Sequence, residues 1–318
     1  MTMPTDSRPY VPVARPISTR SITEALHRAV SAARYAPSAD NAQPWRWRLD
    51  DDGLDLFIDS SRMTGAGGPG DRIAAVGCGA ALQHARLALA ALGWRATVTR
   101  LPDAADPRHL ARLHIDAVAR IGRRAVQAAQ NVRLRHTDPR PVTGEPLGPR
   151  DLESFTAAVE AEGSRLHVLR PDEILRLLLA SPPAAELGPL EAQWYEELAR
   201  WAGRGPGAGE TRHERAATFI VLHGPGDERV DWLRAGEALS AAWLVATEMH
   251  VSVLPLSAPV QRPAARDALR RTLGDRGDPY LVVRLGRNAG PAVVPHSPRL
   301  PLDQIVEVRG AGAEPRSR

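Results

Sequence analysis

The sequence contains a single cysteine, Cys78, and no lysine: all 41 basic residues are arginine. One thiol excludes an intrachain disulfide and makes a cysteine-built zinc site a poor expectation. No stretch of about 18 uncharged apolar residues appears, and the first twenty residues carry Pro and Arg but no apolar signal core. These features predict a soluble, cytoplasmic chain with no membrane partner. There is no G-x-S-x-G elbow and no H-x-x-x-H pair, and His109 and His114 are spaced wrongly for one helix face, so neither a serine nucleophile nor a metal site is expected. Cys78 falls inside an apolar helical stretch, which makes it a poor nucleophile.

What is present is ordinary globular composition, 43% hydrophobic and 25% charged over 318 residues, enough chain for one large domain or two half-size ones. The net charge of +4 is spread among interspersed acids and fits a GC-rich coding bias better than a nucleic-acid footprint. No helix-turn-helix, zinc finger or basic-aromatic stripe accompanies it, and no nucleic-acid partner is expected. Gly65-Ala66-Gly67-Gly68-Pro69-Gly70 matches G-x-G-x-x-G formally. Pro69, however, lacks an amide for a phosphate and no acidic residue lies about 20 positions on, so it reads as a flexible loop.

Apolar spacing predicts a helix over Ser21–Arg34, with Ser21 and Glu24 as a capping box, and a hairpin of strands Trp45–Leu49 and Leu54–Asp59. A buried helix spans about Ile73–Leu92 and stops at Gly93. Strands near Ala96–Thr99 and Leu113–Ala117 and a helix over Arg120–Val132 follow. After a Pro- and Gly-rich stretch the pattern recommences: helix Asp151–Ala161, strand Arg165–Leu169, helix Pro171–Leu179, strand Ala217–His223, buried helix Gly236–His250. Gly79-Ala80-Ala81-Leu82-Gln83-His84-Ala85-Arg86-Leu87 and Gly236-Glu237-Ala238-Leu239-Ser240-Ala241-Ala242-Trp243-Leu244 agree at the first, third, fourth, seventh and ninth positions. A strand and a Leu-Pro pair follow each. The repetition predicts an internal duplication, with halves 20–118 and 119–306 about a pseudo-two-fold axis, flanked by tails 1–19 and 307–318. An insertion at 181–214, carrying Trp194, Tyr195 and Trp201, reads either as a surface helix or as a lid over a cleft.

The informative segment is Pro37-Ser38-Ala39-Asp40-Asn41-Ala42-Gln43-Pro44-Trp45. Two prolines fix the backbone around short polar side chains, an arrangement able to bind a planar hydrogen-bonding ligand or to cap a helix. Its P-S-x-x-N-x-Q-P-W pattern resembles the ring-binding loop of the FMN-dependent nitroreductase family. Arg135-His136-Thr137-Asp138 resembles the turn with which that family holds the FMN phosphate, where a guanidinium offers a bidentate fork. Pro255-Leu256-Ser257 is similar to the loop lining the flavin ring, and Arg299 stands where the family has a C-terminal basic residue. With the ring loop only in the first half and the arginine turn only in the second, the whole is similar to the Acg-like, actinobacterial branch.

The resemblance implies an α+β nitroreductase fold, with central mixed or antiparallel sheets flanked by helices in a fused pseudo-dimer that keeps one composite flavin site. It implies an FMN cofactor, with Pro37, Ser38, Ala39, Asn41, Gln43, Pro255, Leu256 and Ser257 at the ring and Arg135, His136, Thr137, Arg140 and Arg299 at the phosphate. It also implies NAD(P)H as electron donor and a nitroaromatic or quinone-type small molecule as acceptor, in a monomeric pseudo-dimer or a homodimer. No side chain stands out as a catalytic acid. Pro139 replaces a frequent basic residue, leaving Arg140 to reach the phosphate. Ala258-Pro259-Val260-Gln261 lacks the acidic-Gly pair that presents an amide to the flavin, and Pro259 has none to give. A closed, weakly active protein that stores FMN beneath the 181–214 insertion is the alternative expectation.

Overall fold

The structure, a computed structural model, describes residues 19–63, 68–181, 195–196, 198–199, 216–288 and 297–308. Most of the expected lid (with Trp194 and Trp201), Gly65 to Gly67 of the Gly-rich loop and nearly all of both tails lie outside the described residues. Of the insertion, Leu198 is buried in the second-half core.

Helix α1 (Thr19–Ala33) packs its apolar stripe inward and leads into β1 (Trp45–Leu49) and β2 (Gly53–Ile58). It begins before Ser21, so the expected capping box falls inside the first turn. Helix α2 (Pro69–Ala91) opens with a proline at its first position, where the missing amide costs nothing. It is long and apolar enough to cross a membrane, but 83% of its apolar window is buried inside the protein. Strands β3 (Trp94–Arg100) and β4 (His109–Val118) end the expected first half, and helix α3 (Arg123–Leu134) follows. Then come α4 (Pro149–Glu160), β5 (Arg165–Val168), α5 (Pro171–Leu179), β6 (Thr218–Gly224), α6 (Arg229–Glu248), β7 (Ser252–Leu256), α7 (Ala258–Gln261), α8 (Pro263–Leu273), β8 (Asp278–Gly286), α9 (Leu302–Ile305) and β9 (Val306–Val308).

Two sheets result, giving the α+β arrangement of mixed and antiparallel strands flanked by helices. The first has the order β3-β4-β2-β1-β9 and the second the order β5-β6-β8-β7. Every pairing is antiparallel except β9 with β1, where Trp47 lies opposite Val306. The final strand therefore leaves the second half and completes the first sheet. Strand β8, absent from the expected pattern, is central in the second. Each sheet has its own apolar core, one around Trp45, Trp47 and Leu82, the other around Phe155, Phe219 and Trp243.

Helices α2 and α6 cross between the cores with no room for side chains. A Cβ on Gly79 would lie 1.9 Å from the Leu233 carbonyl oxygen, and one on Gly236 would lie 1.9 Å from the Val76 carbonyl oxygen. Each glycine thus meets the residue three before its counterpart, the reciprocity of a two-fold contact. Beside the crossing, fully buried Glu237 accepts from Arg100 Nε at 2.7 Å and from Arg86 Nη1 at 2.6 Å. Arg86 also reaches Glu162 at 2.8 Å, so ion pairs tie α2, β3 and the end of α4 to α6.

Candidate functional site

The loop after α1 is built by its prolines. Pro37 disfavours helical backbone at Ala36, and Ser38 is extended (φ −146°, ψ 151°). Its hydroxyl accepts from the Gln43 amide at 2.9 Å, closing the loop on itself. Asp40, Asn41 and Gln43 hold φ of 51°, 55° and 49°, three of the five left-handed non-glycine residues among those described. Such backbone costs energy and persists only where its surroundings enforce it, commonly at ligand sites. Pro44 and fully buried Trp45 then anchor the loop to β1.

The enforcing partner comes from the far end of the chain. Asn41 Nδ2 donates to the Pro298 carbonyl at 2.9 Å, and the Leu300 amide donates to Gln43 Oε1 at 3.0 Å. Arg299, between them, donates from Nη1 to Asn41 Oδ1 at 2.7 Å and from Nη2 to the Tyr35 carbonyl at 3.4 Å. Pairing of β9 with β1 fixes this segment against the loop.

Arg135, at the C-terminus of α3, donates from Nη2 to the same Tyr35 carbonyl at 3.2 Å. It is buried, its Nε has no hydrogen-bond partner, and its guanidinium lies over the Trp243 ring, 4.4 Å from the centroid. Burial and the charge of Arg299 push Arg135 down to about 9, still cationic at neutral pH. Burial likewise lowers Arg299. Arg34 and Arg133 stand over the Tyr35 ring, 5.2 and 5.1 Å from its centroid. Among the described residues none of these four arginines has a carboxylate partner. Two guanidiniums on one carbonyl, Arg135 buried and Arg299 half-buried, with two more over the adjoining Tyr35 ring, make an arrangement suited to an anion.

Ser38, Asn41, Gln43, Arg135 and Arg299 are thus brought together. Ala39 packs against the second core, to which Leu256 belongs, and with Ser38 lines a small cleft closed by Gln261. Pro255 lies in β7 opposite Val283, and Ser257 caps α7, its carbonyl accepting from the Val260 and Gln261 amides. Thr137 is exposed. Arg140 departs from expectation: its guanidinium is held by Asp138 (Nε to Oδ1 2.9 Å, Nη2 to Oδ2 2.8 Å). With His136 it lines a different depression, beside Thr247, His250 and Asn288.

Tyr35, Arg34, Arg133, His84, Trp243 and Pro298 were not singled out by sequence. Three of them had a visible signal, since Arg34-Tyr35 lies just before the loop and Arg133 two residues before Arg135. Elsewhere, His109 is committed to Asp55 at 2.8 Å, and burial pushes the Cys78 thiol up, which leaves it inert.

No family model matches the chain. Among curated proteins, the Mycobacterium tuberculosis protein named "Putative NAD(P)H nitroreductase acg" is 30% identical over 325 residues, spanning 90% of this chain and 96% of the relative. A second relative from that organism, "Putative NAD(P)H nitroreductase Rv3131", is 29% identical over 319 residues, 89% of this chain and 91% of its own. Among solved structures, a nitroreductase with bound FMN from Bacteroides fragilis is 13% identical and covers 60% of this chain and 98% of its own, at a TM-score of 0.37.

Proposed function

The chain belongs to the nitroreductase family, in its Acg-like branch, and from that premise we propose that it is an FMN-dependent NAD(P)H oxidoreductase whose flavin phosphate lies between Arg135 and Arg299. The observation that carries the reading is the pair of guanidiniums on the Tyr35 carbonyl, Arg135 buried and Arg299 half-buried, with no carboxylate partner among the described residues and with Arg135 Nε unsatisfied. A phosphate monoester, with nearly two negative charges and three acceptor oxygens, fits that need. In the strained loop the Asn41 and Gln43 side chains are engaged with Pro298, Arg299 and Leu300, so the loop's part is to hold a rigid polar edge beside the arginines against which a ring would lie, with Ser38 and Ala39 on the cleft that Gln261 also lines.

When bound, the flavin would supply the two-electron chemistry, taking hydride from a reduced nicotinamide and passing electrons to a nitroaromatic or quinone-type acceptor. The chain's part is to grip and orient. Arg299 links the phosphate end to the ring loop through Asn41, so a shift at one end is felt at the other. Arg140, held by Asp138, is left out of the clamp. The reciprocal glycine contacts support reading 20–118 and 119–306 as fused nitroreductase halves, acting alone or as a homodimer in the cytoplasm.

A second reading, a slowly reacting protein that holds FMN in store, is favoured by one feature. Pro259 lacks an amide, and those of Val260 and Gln261 are committed to Ser257, which leaves few donors for the ring edge. Mixing the flavin-loaded protein with NADH or NADPH separates the two: bleaching within seconds supports an oxidoreductase, and bleaching by dithionite alone supports storage.

The site itself is tested by titrating apoprotein with FMN and riboflavin. Arg135→Ala and Arg299→Ala should each weaken FMN about 10- to 100-fold, the equivalent of losing one charge-assisted contact of roughly 1.5–3 kcal/mol, and leave riboflavin nearly unchanged. Equal affinity of the wild type for FMN and riboflavin would end the phosphate assignment.

A further inference from the structure

Beside the two clamping arginines lies a buried side chain without a side-chain partner. His84, on α2, is fully buried, neither ring nitrogen makes a hydrogen bond of full geometry, and the Ala32 backbone is its one hydrogen-bonding neighbour. Buried polar groups are rarely left so unless a ligand, ion or functional task completes them. The charged groups that face it are Arg135 from the end of α3 and, more weakly, Arg299 from the C-terminal segment. From α1 only the Ala32 backbone favours a proton on the ring. Among the described residues no carboxylate acts on it from any element, and α6 contributes no charge. Tyr35 and Arg34 reach it only through Arg299, on which both act.

We propose that His84 is a third anchor of the phosphate-monoester ligand, neutral in the free protein and protonated in the complex, so that binding takes up a proton from water. The inference rests on the phosphate reading above and adds a proton to it. In the free protein, burial and then the charge of Arg135 lower His84 to about 3. A dianion held by Arg135 and Arg299 cancels the repulsion of both and supplies an acceptor, so the same ring becomes a donor and retains its proton. No bond is made or broken beyond this transfer from solvent to an imidazole nitrogen.

The linkage has a definite sign. A free phosphate monoester loses its second proton near pH 6, so above about pH 6.5 the free ligand is already dianionic and does not itself account for proton uptake. Arg135, at about 9, keeps its charge up to about pH 8. Between those limits a group whose value rises on binding makes affinity fall with pH, by at most tenfold per unit.

The experiment measures FMN and riboflavin affinity of the full chain by flavin fluorescence at about pH 6.5 and about pH 8. Calorimetry in two buffers of different ionisation heat counts protons. The wild type should take up close to one proton with FMN and none with riboflavin, and its FMN dissociation constant should rise roughly tenfold or more across the interval. His84→Gln, which keeps a neutral donor, should bind FMN with no uptake and no slope. Wild-type FMN binding without uptake, or uptake that persists in His84→Gln, overturns the proposal. Should that variant not fold, the wild-type comparison of FMN with riboflavin still decides. Equal wild-type affinity for the two flavins is a different result, and it removes the phosphate site along with the proton.

Discussion

Replacing Gly79 by alanine probes the crossing of α2 and α6 between the two cores. The new methyl would lie 1.9 Å from the Leu233 carbonyl oxygen and 3.0 Å from the Gly236 Cα, whereas real Cβ atoms do not approach closer than 3.0 Å. Both obstacles are backbone, so no rotamer change relieves them, and α2 must part from α6 by more than about 1 Å. That separation loosens the cores packed against both helices. Overfilling a packed interior costs about 1–3 kcal/mol, occasionally more, and a backbone clash belongs at the upper end. Alanine recovers about 1 kcal/mol of helix preference. The expected net is a loss of at least ~2 kcal/mol, read as a lower urea midpoint with an unchanged slope. Gly236→Ala should behave alike, its methyl meeting the Val76 carbonyl oxygen at 1.9 Å. Because one separation accommodates both methyls, the double variant should lose less than the sum of the two. A neutral or stabilising Gly79→Ala, or strict additivity, would refute the crossing.

The ion pairs and the excluded arginine give further expectations. Glu237→Gln leaves Arg100 without a carboxylate and Arg86 with only Glu162. Partial exposure of the arginines places the loss at the lower end of the 3–5 kcal/mol typical of broken buried pairs, about 3 kcal/mol, measured by urea unfolding. Burial raises the Asp138 carboxyl, but bonds from Arg140 and Asn288 outweigh it and lower the group to about 2. The folded value lies below the unfolded one, so this stabilisation is complete above about pH 4 and is lost as pH falls toward 2. Urea midpoints taken at about pH 5 and about pH 3 should therefore differ less in Asp138→Asn than in the wild type. Arg140→Ala should change FMN affinity by less than about twofold, since a contact never made costs nothing to remove. A loss comparable to that of Arg135→Ala would return Arg140 to the clamp.

The local signals survive in the structure because they are backbone signals. Pro37 and Pro44 bracket the loop whatever surrounds it, and Gly93, at φ 81°, follows α2 because it tolerates left-handed backbone. Arg140 is not separable from Arg135 by local reading. Its amide and its guanidinium are both held by Asp138, in a short turn around Pro139 that the sequence does not display. Strand β8 was passed over although Asp278–Gly286 is a short, almost continuous apolar run. Periodicity alone does not separate such a central strand from a buried helical segment. Three-residue β9 has no signal of its own, because only its tertiary pairing with Trp47 to Leu49 makes it a strand. His84 was read as one position in an apolar helix. Its role depends on Arg135 and Arg299, which approach it only in the fold.

A chain without lysine puts guanidinium to two uses that its structure separates. Elsewhere many arginines face carboxylates: Arg86 and Arg100 meet Glu237, Arg112 meets Asp50, Asp52 and Asp55, and Arg266 and Arg270 meet Asp227 and Asp278. Around Tyr35 the pattern breaks, with Arg34, Arg133, Arg135 and Arg299 gathered and no carboxylate among the described residues. Holding these like charges together costs folding free energy, and a bound anion returns it by mass action, about 2.7 kcal/mol when free ligand is at 100 times its dissociation constant. The clamp is assembled from the end of α1, the end of α3 and the segment before β9, which are distant in sequence and meet only when that last strand pairs with β1. An anion bound there would therefore stabilise the junction that builds its own site, coupling its affinity to the pairing of β9 with β1.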